Sequence, residues 1–196
     1  MLNKIRKNFS GHFSAKIRIG YDDNELFDDI IQTLESESID SITIHGRTRA
    51  QLYKGHSNWE FIKRAVGLTK IPIIGNGDVL TIEDVEKCFD TGCHSLMLGR
   101  GALSTPWLAG IYKEFQSGQH FNDAYLDEIR KNHIKDFFLL LEENYKKRYR
   151  EDTFILGRKK QLIRYLFNEF DNCEEIRGQY LRSQTLGQFN SLILKL

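Results

Sequence analysis

The stretch from Lys70 to Ala102 constrains this chain more than any other. Ile71-Pro72-Ile73-Ile74 and Ser95-Leu96-Met97-Leu98 are apolar runs of strand length, and each breaks into glycines beside polar residues, in Gly75-Asn76-Gly77-Asp78 and Gly99-Arg100-Gly101. Unbroken apolar runs of that length suit parallel strands covered on both faces. Between them, Leu80 to Gly92 has the spacing of one amphipathic helix. Strand, glycine loop, helix, strand and glycine loop make a βαβ unit whose two loops open on the same side. Glycines let backbone N–H groups come close to an anion, and Arg100 adds a fixed, forked charge. The two loops therefore read as a phosphate clamp for a cofactor, at the place where α/β barrels keep one.

The same grammar runs upstream. Lys16-Ile17-Arg18-Ile19-Gly20 alternates cations with isoleucines, which gives a strand one charged face and one apolar face. Leu26, Phe27, Ile30, Ile31 and Leu34 recur at helical spacing, with Asp22, Asp23 and Asn24 as candidate caps. Ser41-Ile42-Thr43-Ile44 then runs into His45-Gly46-Arg47-Thr48-Arg49, and Trp59, Phe61, Ile62, Ala65 and Val66 mark the next helix. Repeats of roughly 25 to 30 residues are those of a (β/α)8 barrel, which needs about 250 residues in all. A chain of 196 residues holds half of one. After Pro106-Trp107 the pattern turns wholly helical: Leu126, Ile129, His133, Phe137, Leu140 and Leu141 mark one face, Leu162, Tyr165, Leu166 and Phe170 a second, and Ile176, Tyr180 and Leu181 begin a third. The expected class is α/β, the C-terminal half of a TIM barrel over residues 1–112, then a linker over 113–122 with Asn122 or Asp123 as N-cap, then an all-α helical bundle over 123–196.

Charge and cysteine usage exclude some classes. With 28 Lys and Arg against 27 Asp and Glu the net charge is +1, which fits an ordinary soluble protein. Cys88, Cys93 and Cys173 are odd in number and lack C-x-x-C spacing, so neither a disulfide framework nor a metal site is expected. No run of about 18 apolar residues occurs, and the basic start has no long apolar segment behind it. A reducing cytoplasm, with no membrane contact, is the expected setting.

Each chemically capable group has an ordinary reading beside the functional one. Lys16 and Arg18 share a strand face, either as a rim salt bridge or facing an anion or electron-rich ring. His45 and Arg47 share a face likewise, and His45 reads as a hydrogen-bonded core histidine or as a site residue. The coincidence of polar residues at the ends of all four expected strands favours the site. The cysteines read as packing or surface residues. Lys146, Lys147, Arg148, Arg150, Arg158, Lys159, Lys160 and Arg164 face only Glu151 and Asp152 within their span. That cluster is either a solvated helix face or, given Tyr145, Tyr149 and Tyr165, an RNA-binding surface.

Taken together, Lys16-Ile-Arg-Ile-Gly20, Thr43-Ile-His-Gly-Arg-Thr-Arg49, Ile74-Gly-Asn-Gly-Asp78 and Met97-Leu-Gly-Arg100 followed by Pro106-Trp107 resemble tRNA-dihydrouridine synthases, with Gly157-Arg158-Lys159 the best match in the helical part. The resemblance is close over about residues 14 to 112. It implies an FMN-binding barrel followed by a helical tRNA-binding domain, and reduction of tRNA uridine to 5,6-dihydrouridine with NADPH as reductant. By motif, Lys16 contacts the flavin ring, His45 lies beside it, and Asn76, Gly77, Asp78, Gly99 and Arg100 hold the ribityl chain and phosphate, with Arg47 in support. Lys146, Lys147, Arg148, Arg158, Lys159 and Arg164 are the expected tRNA contacts. None of the three cysteines matches the family's proton donor, so no catalytic residue is expected here. Cys93 stands where that family usually has alanine. The chain therefore reads as the C-terminal portion of such an enzyme, inactive alone, its other barrel half missing or separately encoded. The alternatives are another FMN barrel of the dihydroorotate- or dihydropyrimidine-dehydrogenase kind, or a non-catalytic RNA-binding remnant.

Overall fold

The computed structural model describes residues 1–167, 170 and 172–196. It divides into two compact units, Met1–Gly99 and Arg100–Leu196.

The first unit opens with helix α1 (Leu2–Asn8), then alternates strands β1 (Ser14–Arg18), β2 (Ser41–His45), β3 (Ile73–Asn76) and β4 (Ser95–Met97) with helices α2 (Phe27–Ser36), α3 (Glu60–Leu68) and α4 (Ile82–Phe89). The strands form one parallel sheet in the order β1-β2-β3-β4. Sequential order in a parallel sheet is consistent with part of an α/β barrel. Register decides the faces: Ala15 pairs with Ile42 and Ile17 with Ile44, while Ile42 pairs with Ile73 and Ile44 with Gly75. That face packs against Ile31 and Leu34 of α2, Ile62 and Ala65 of α3, and Cys88 of α4, a continuous apolar core. Fully burying each such isoleucine or leucine contributes about 1.5–3 kcal/mol.

Local signals set the helix ends. Thr81 closes a capping box with Asp84, the hydroxyl accepting from the Asp84 N–H and the carboxylate accepting from the Thr81 N–H. The caps expected for α2 are different: Leu26 stands at the N-cap without a side-chain bond, and Asp23 instead receives the Glu25 N–H at 3.1 Å. Cys88 and Cys93 are both buried with their sulfurs 3.7 Å apart, and are packing residues of the core.

The second unit contains α5 (Gly101–Ser104), α6 (Leu108–Gln116), α7 (Asp123–Lys146), α8 (Asp152–Leu166), α9 (Cys173–Arg182) and α10 (Leu186–Ile193). Part of the stretch expected as a linker is helix, because Leu108 and Ile111 bury one side of α6, which runs on to Gln116. Asn122 caps α7 as its side chain accepts the Tyr125 N–H at 2.9 Å. The buried stripe of α7 is Ile134, Phe138 and Glu142, one residue round from the stripe read in the sequence, and Leu140 is exposed. Ile134 and Phe138 pack with Ile155 and Ile163 of α8, Tyr180 of α9 and Phe189 of α10. The sequence reading did not name α10. Its signal is Thr185, whose hydroxyl accepts the Gln188 N–H.

Candidate functional site

The other face of the sheet is polar. Lys16 pairs in register with Thr43, and Thr43 with Ile74; one step further, Arg18, His45, Asn76 and Met97, the last residues of their four strands, form a row across the sheet's carboxyl end. A helix-covered apolar face backs this polar one. The carboxyl end of a parallel sheet is where α/β folds bind ligands.

Within the row, Asn76 is the hub. Its amide nitrogen donates to the Met97 carbonyl at 2.7 Å, which turns its oxygen to accept from Lys16 Nζ at 3.2 Å. Lys16 forms no ion pair among the described residues, and burial, then the neighbouring Arg18, lower its pKa. His45 is buried, and its pKa falls to about 4 because burial disfavours the imidazolium and Arg18, Lys16 and Arg47 repel it, with Asp78 opposing. At neutral pH it is an uncharged imidazole in a positive surrounding.

Two arginines fasten the loop that follows β2. Arg18 Nη1 donates to the carbonyls of Thr48 at 2.7 Å and Leu52 at 2.9 Å. Leu52 holds a left-handed conformation, φ +53°, which is costly for a leucine and is fixed by that bond. The loop thereby holds Tyr53 with its ring 6.4 Å from the His45 ring and 5.6 Å from the Arg18 guanidinium, while 61% of the residue stays exposed. Tyr53 carries no mark in the sequence patterns, and Arg18, read there only as sharing the Lys16 face, is what holds it in place. The signal available was Arg18's place on the Lys16 face.

Arg47 is 2% exposed and faces Asp78 in a two-pronged ion pair, Nη1 to Oδ1 at 2.8 Å and Nη2 to Oδ2 at 2.6 Å, while Nε donates to the Lys54 carbonyl. Asp78 also accepts the Ser57 N–H at 3.0 Å. Asp78, expected with Asn76, Gly77, Gly99 and Arg100 at a ribityl chain and phosphate, thus has both carboxylate oxygens on the Arg47 guanidinium, with Oδ2 also on the Ser57 N–H. The pair ties the loops after β2 and β3 together. Gly46 and Gly77 allow the close approach, since a Cβ on either would lie within 2.5 Å of Ser57 Oγ. Gly99 is different, for a Cβ there would meet nothing within 4 Å. The structure thus brings together Lys16, His45, Asn76, Gly77 and Asp78 in the first unit; Gly99 ends that unit, and Arg100 begins the second at the N-cap of α5.

The residues expected to touch RNA divide in two. Lys159 is fully buried: its Nζ lies 2.6 Å from Glu142 Oε2 and 2.7 Å from Asn190 Oδ1, over the rings of Phe138 and Phe189. That removes Lys159 from the basic surface. Burial raises the Glu142 pKa, but hydrogen bonds from Lys146, Lys159 and Asn190 outweigh it and hold the carboxyl at about 2. Lys146 pairs with Glu142 and Lys147 with Glu143, one helical turn back and N-terminal to the Lys146–Arg164 stretch. Arg148, Arg158 and Arg164 are exposed and make no ion pair among the described residues.

Comparison with known proteins adds the following. The pattern of the family described as Dihydrouridine synthase (Dus) matches residues 1–184. A probable tRNA-dihydrouridine synthase of Aquifex aeolicus is 42% identical over 104 residues, which cover 53% of this chain and 32% of that protein. The tRNA-dihydrouridine(16) synthase of Haemophilus influenzae is 31% identical over 174 residues, 88% of this chain and 53% of that one. A further tRNA-dihydrouridine(16) synthase, from Neisseria meningitidis serogroup B, is 32% identical over 182 residues, 90% of this chain and 52% of that one. The chain therefore spans about half the length of these relatives or less. Among solved structures, a mandelate oxidase mutant with the C4a-OH-FMN adduct overlays with a TM-score of 0.45 at 18% identity, covering 60% of this chain and 43% of that one.

Proposed function

Because the chain belongs to the dihydrouridine synthase family, we propose that it supplies part of the flavin site and the RNA-binding surface of an FMN-dependent oxidoreductase that reduces tRNA uridine to 5,6-dihydrouridine, with NADPH as reductant. The observation that carries this reading is the row Arg18, His45, Asn76 and Met97 with Lys16 fastened to Asn76, a polar face with an unpaired ammonium at the carboxyl end of a parallel sheet. In this reading the sheet is the C-terminal half of a barrel and the helices beyond it form the tRNA-binding bundle. Membership of this family leaves the dehydrogenase-like alternative without support.

The residues fit the flavin. An ammonium with no carboxylate partner suits an electron-rich ring edge or an anion, and the open space at Gly99 leaves backbone accessible to a phosphate. FMN, when bound, supplies hydride storage and delivery. Lys16 would hold the ring, positioned by Asn76; His45, neutral at pH 7, would flank it without adding a charge. Asn76, Gly77 and Gly99 would hold the ribityl chain and phosphate, with Arg100 in the role the family resemblance implies. Asp78 acts at one remove, by locking Arg47 and so the two loops. Tyr53 offers an exposed ring beside His45 on which a base could stack. Cys88 and Cys93 do not serve as the proton donor: they pack behind Gly75, on the strand face opposite Asn76.

Titrating FMN into the chain and following flavin fluorescence tests the site. Saturable, weak quenching is expected, and it should weaken further in Lys16→Ala and Asn76→Ala. Quenching identical in these variants and the unaltered chain would remove the polar row from the flavin site. Deleting the gene in its host should abolish dihydrouridine at a defined tRNA position, read by mass spectrometry; tRNA with unchanged dihydrouridine refutes the activity.

A further inference from the structure

With Lys146, Lys147 and Lys159 held by glutamates, Arg148, Arg150, Arg158, Lys160 and Arg164 remain as cations without an ion pair among the described residues. One of them, Arg158, borders an aromatic pair that lies outside the apolar core of the second unit. At the turn between α7 and α8, Tyr149 and Phe154 lie with ring centroids 4.2 Å apart and planes inclined by 36°, yet 39% and 36% of their surface stays in water. One helical turn on, the Arg158 guanidinium sits 5.2 Å from the centre of the Phe154 ring and donates to Gln161 Oε1 at 3.2 Å. Beside it, Gly157 occupies the exposed middle of α8, where a Cβ would meet nothing within 4 Å. A glycine inside a helix is unfavourable relative to alanine. Among the described residues no neighbour needs the space it leaves, so its bare backbone is open to a group from outside.

We infer that the α7–α8 turn and the first turns of α8 form a subsite for one unpaired nucleotide of an RNA, its base on Phe154 and Tyr149 and its phosphate against Gly157 and Arg158. The inference rests on the tRNA reading above and names where and how this surface grips. Exposed rings beside a guanidinium are the pairing that takes splayed-out bases, whereas a base stacked inside a duplex offers no free face. Charge sets the polarity of the subsite. Glu151 and Asp152, at the start of α8, repel a phosphate from that end and leave it the Arg158 side.

The test uses the full chain, titrated by fluorescence anisotropy with a labelled, unstructured RNA of about ten nucleotides and separately with folded tRNA, each at several salt concentrations. Phe154→Leu keeps apolar packing against Tyr149 but removes the ring face. It should weaken RNA binding about tenfold while leaving the salt slope unchanged. Arg158→Ala should weaken binding and lower that slope by about one. Gly157→Ala should raise the melting temperature of the chain yet reduce RNA affinity, an opposition that a glycine without a ligand role does not produce. Unchanged affinity in folded Phe154→Leu and Gly157→Ala overturns the subsite even where tRNA still binds in a salt-sensitive way. An unaltered chain that binds neither RNA overturns the subsite and the tRNA reading together.

Discussion

Replacing Asp78 by alanine removes one half of the buried pair that joins the loops after β2 and β3. Arg47 is 2% exposed and would keep its charge, with the Lys54 and Gly55 carbonyls left, among the described residues, to receive its N–H groups. Breaking a buried pair from one side typically costs 3–5 kcal/mol, because the remaining ion is desolvated without compensation. The Asp78 side chain is 27% exposed, so water reaches the vacated position and the lower end of that range, about 3 kcal/mol, applies. A surface pair is the internal control: Arg64 and Asp28 are 2.5 Å apart but 56% and 32% exposed, and Asp28→Ala should cost less than about 1 kcal/mol. Urea denaturation measures both. The chain has two tryptophans, Trp59 and Trp107, so a Trp107→Phe background leaves Trp59 to report on the first unit alone. With a slope of roughly 2 kcal/mol per molar urea, Asp78→Ala should lower the midpoint by about 1.5 M and Asp28→Ala by less than about 0.5 M. The Arg47→Met, Asp78→Ala double variant should lose less than the sum of its single variants, since the stranded charge is gone. Equal shifts for Asp78→Ala and Asp28→Ala, or strict additivity in the double variant, would refute the buried-pair argument.

Three further outcomes are expected. His45 has a folded pKa of about 4 against 6.5 for the free side chain, so its contribution is fully present above pH 6.5 and is lost as pH falls toward 4, by at most about 1.4 kcal/mol per pH unit; His45→Gln should flatten the acid limb of the stability curve, and an imidazole NMR titration near pH 6.5 would contradict it. Lys159→Met should leave tRNA affinity unchanged, because that ammonium never reaches the surface, whereas Glu142→Ala should destabilise the second unit by about 3 kcal/mol in thermal unfolding by stranding Lys159. Lys16→Met should reduce FMN affinity by roughly tenfold in equilibrium dialysis, the value of one charge-assisted bond, with little change in melting temperature, since Lys16 has no ion pair to lose among the described residues.

The sequence by itself determined what depends on neighbours a few residues away. Alternation put Lys16 and Arg18 on one face, apolar runs marked β2, β3 and β4, three- and four-residue spacing marked α2, α3 and α4, and Asn122 announced the start of α7. His45, Asn76 and Gly77 stood out as candidates for the same reason, each lying where a strand breaks into polar residues and glycine. Tertiary structure alone decided the partners of the long charged side chains. Asp78 and Arg47 are 31 residues apart and meet because β2 and β3 are neighbours in register with their loops at one end. Lys159 and Glu142 are 17 apart, and a count of charges along the chain places both in a solvated stretch, yet the packing of α7 against α8 draws them inside with Asn190. Side-chain periodicity is a short-range property of backbone geometry, whereas an ion pair depends on where distant elements come to rest. The glycines of the loops and the rows of the sheet could therefore be read from the chain, and the fate of its arginines, lysines and carboxylates could not.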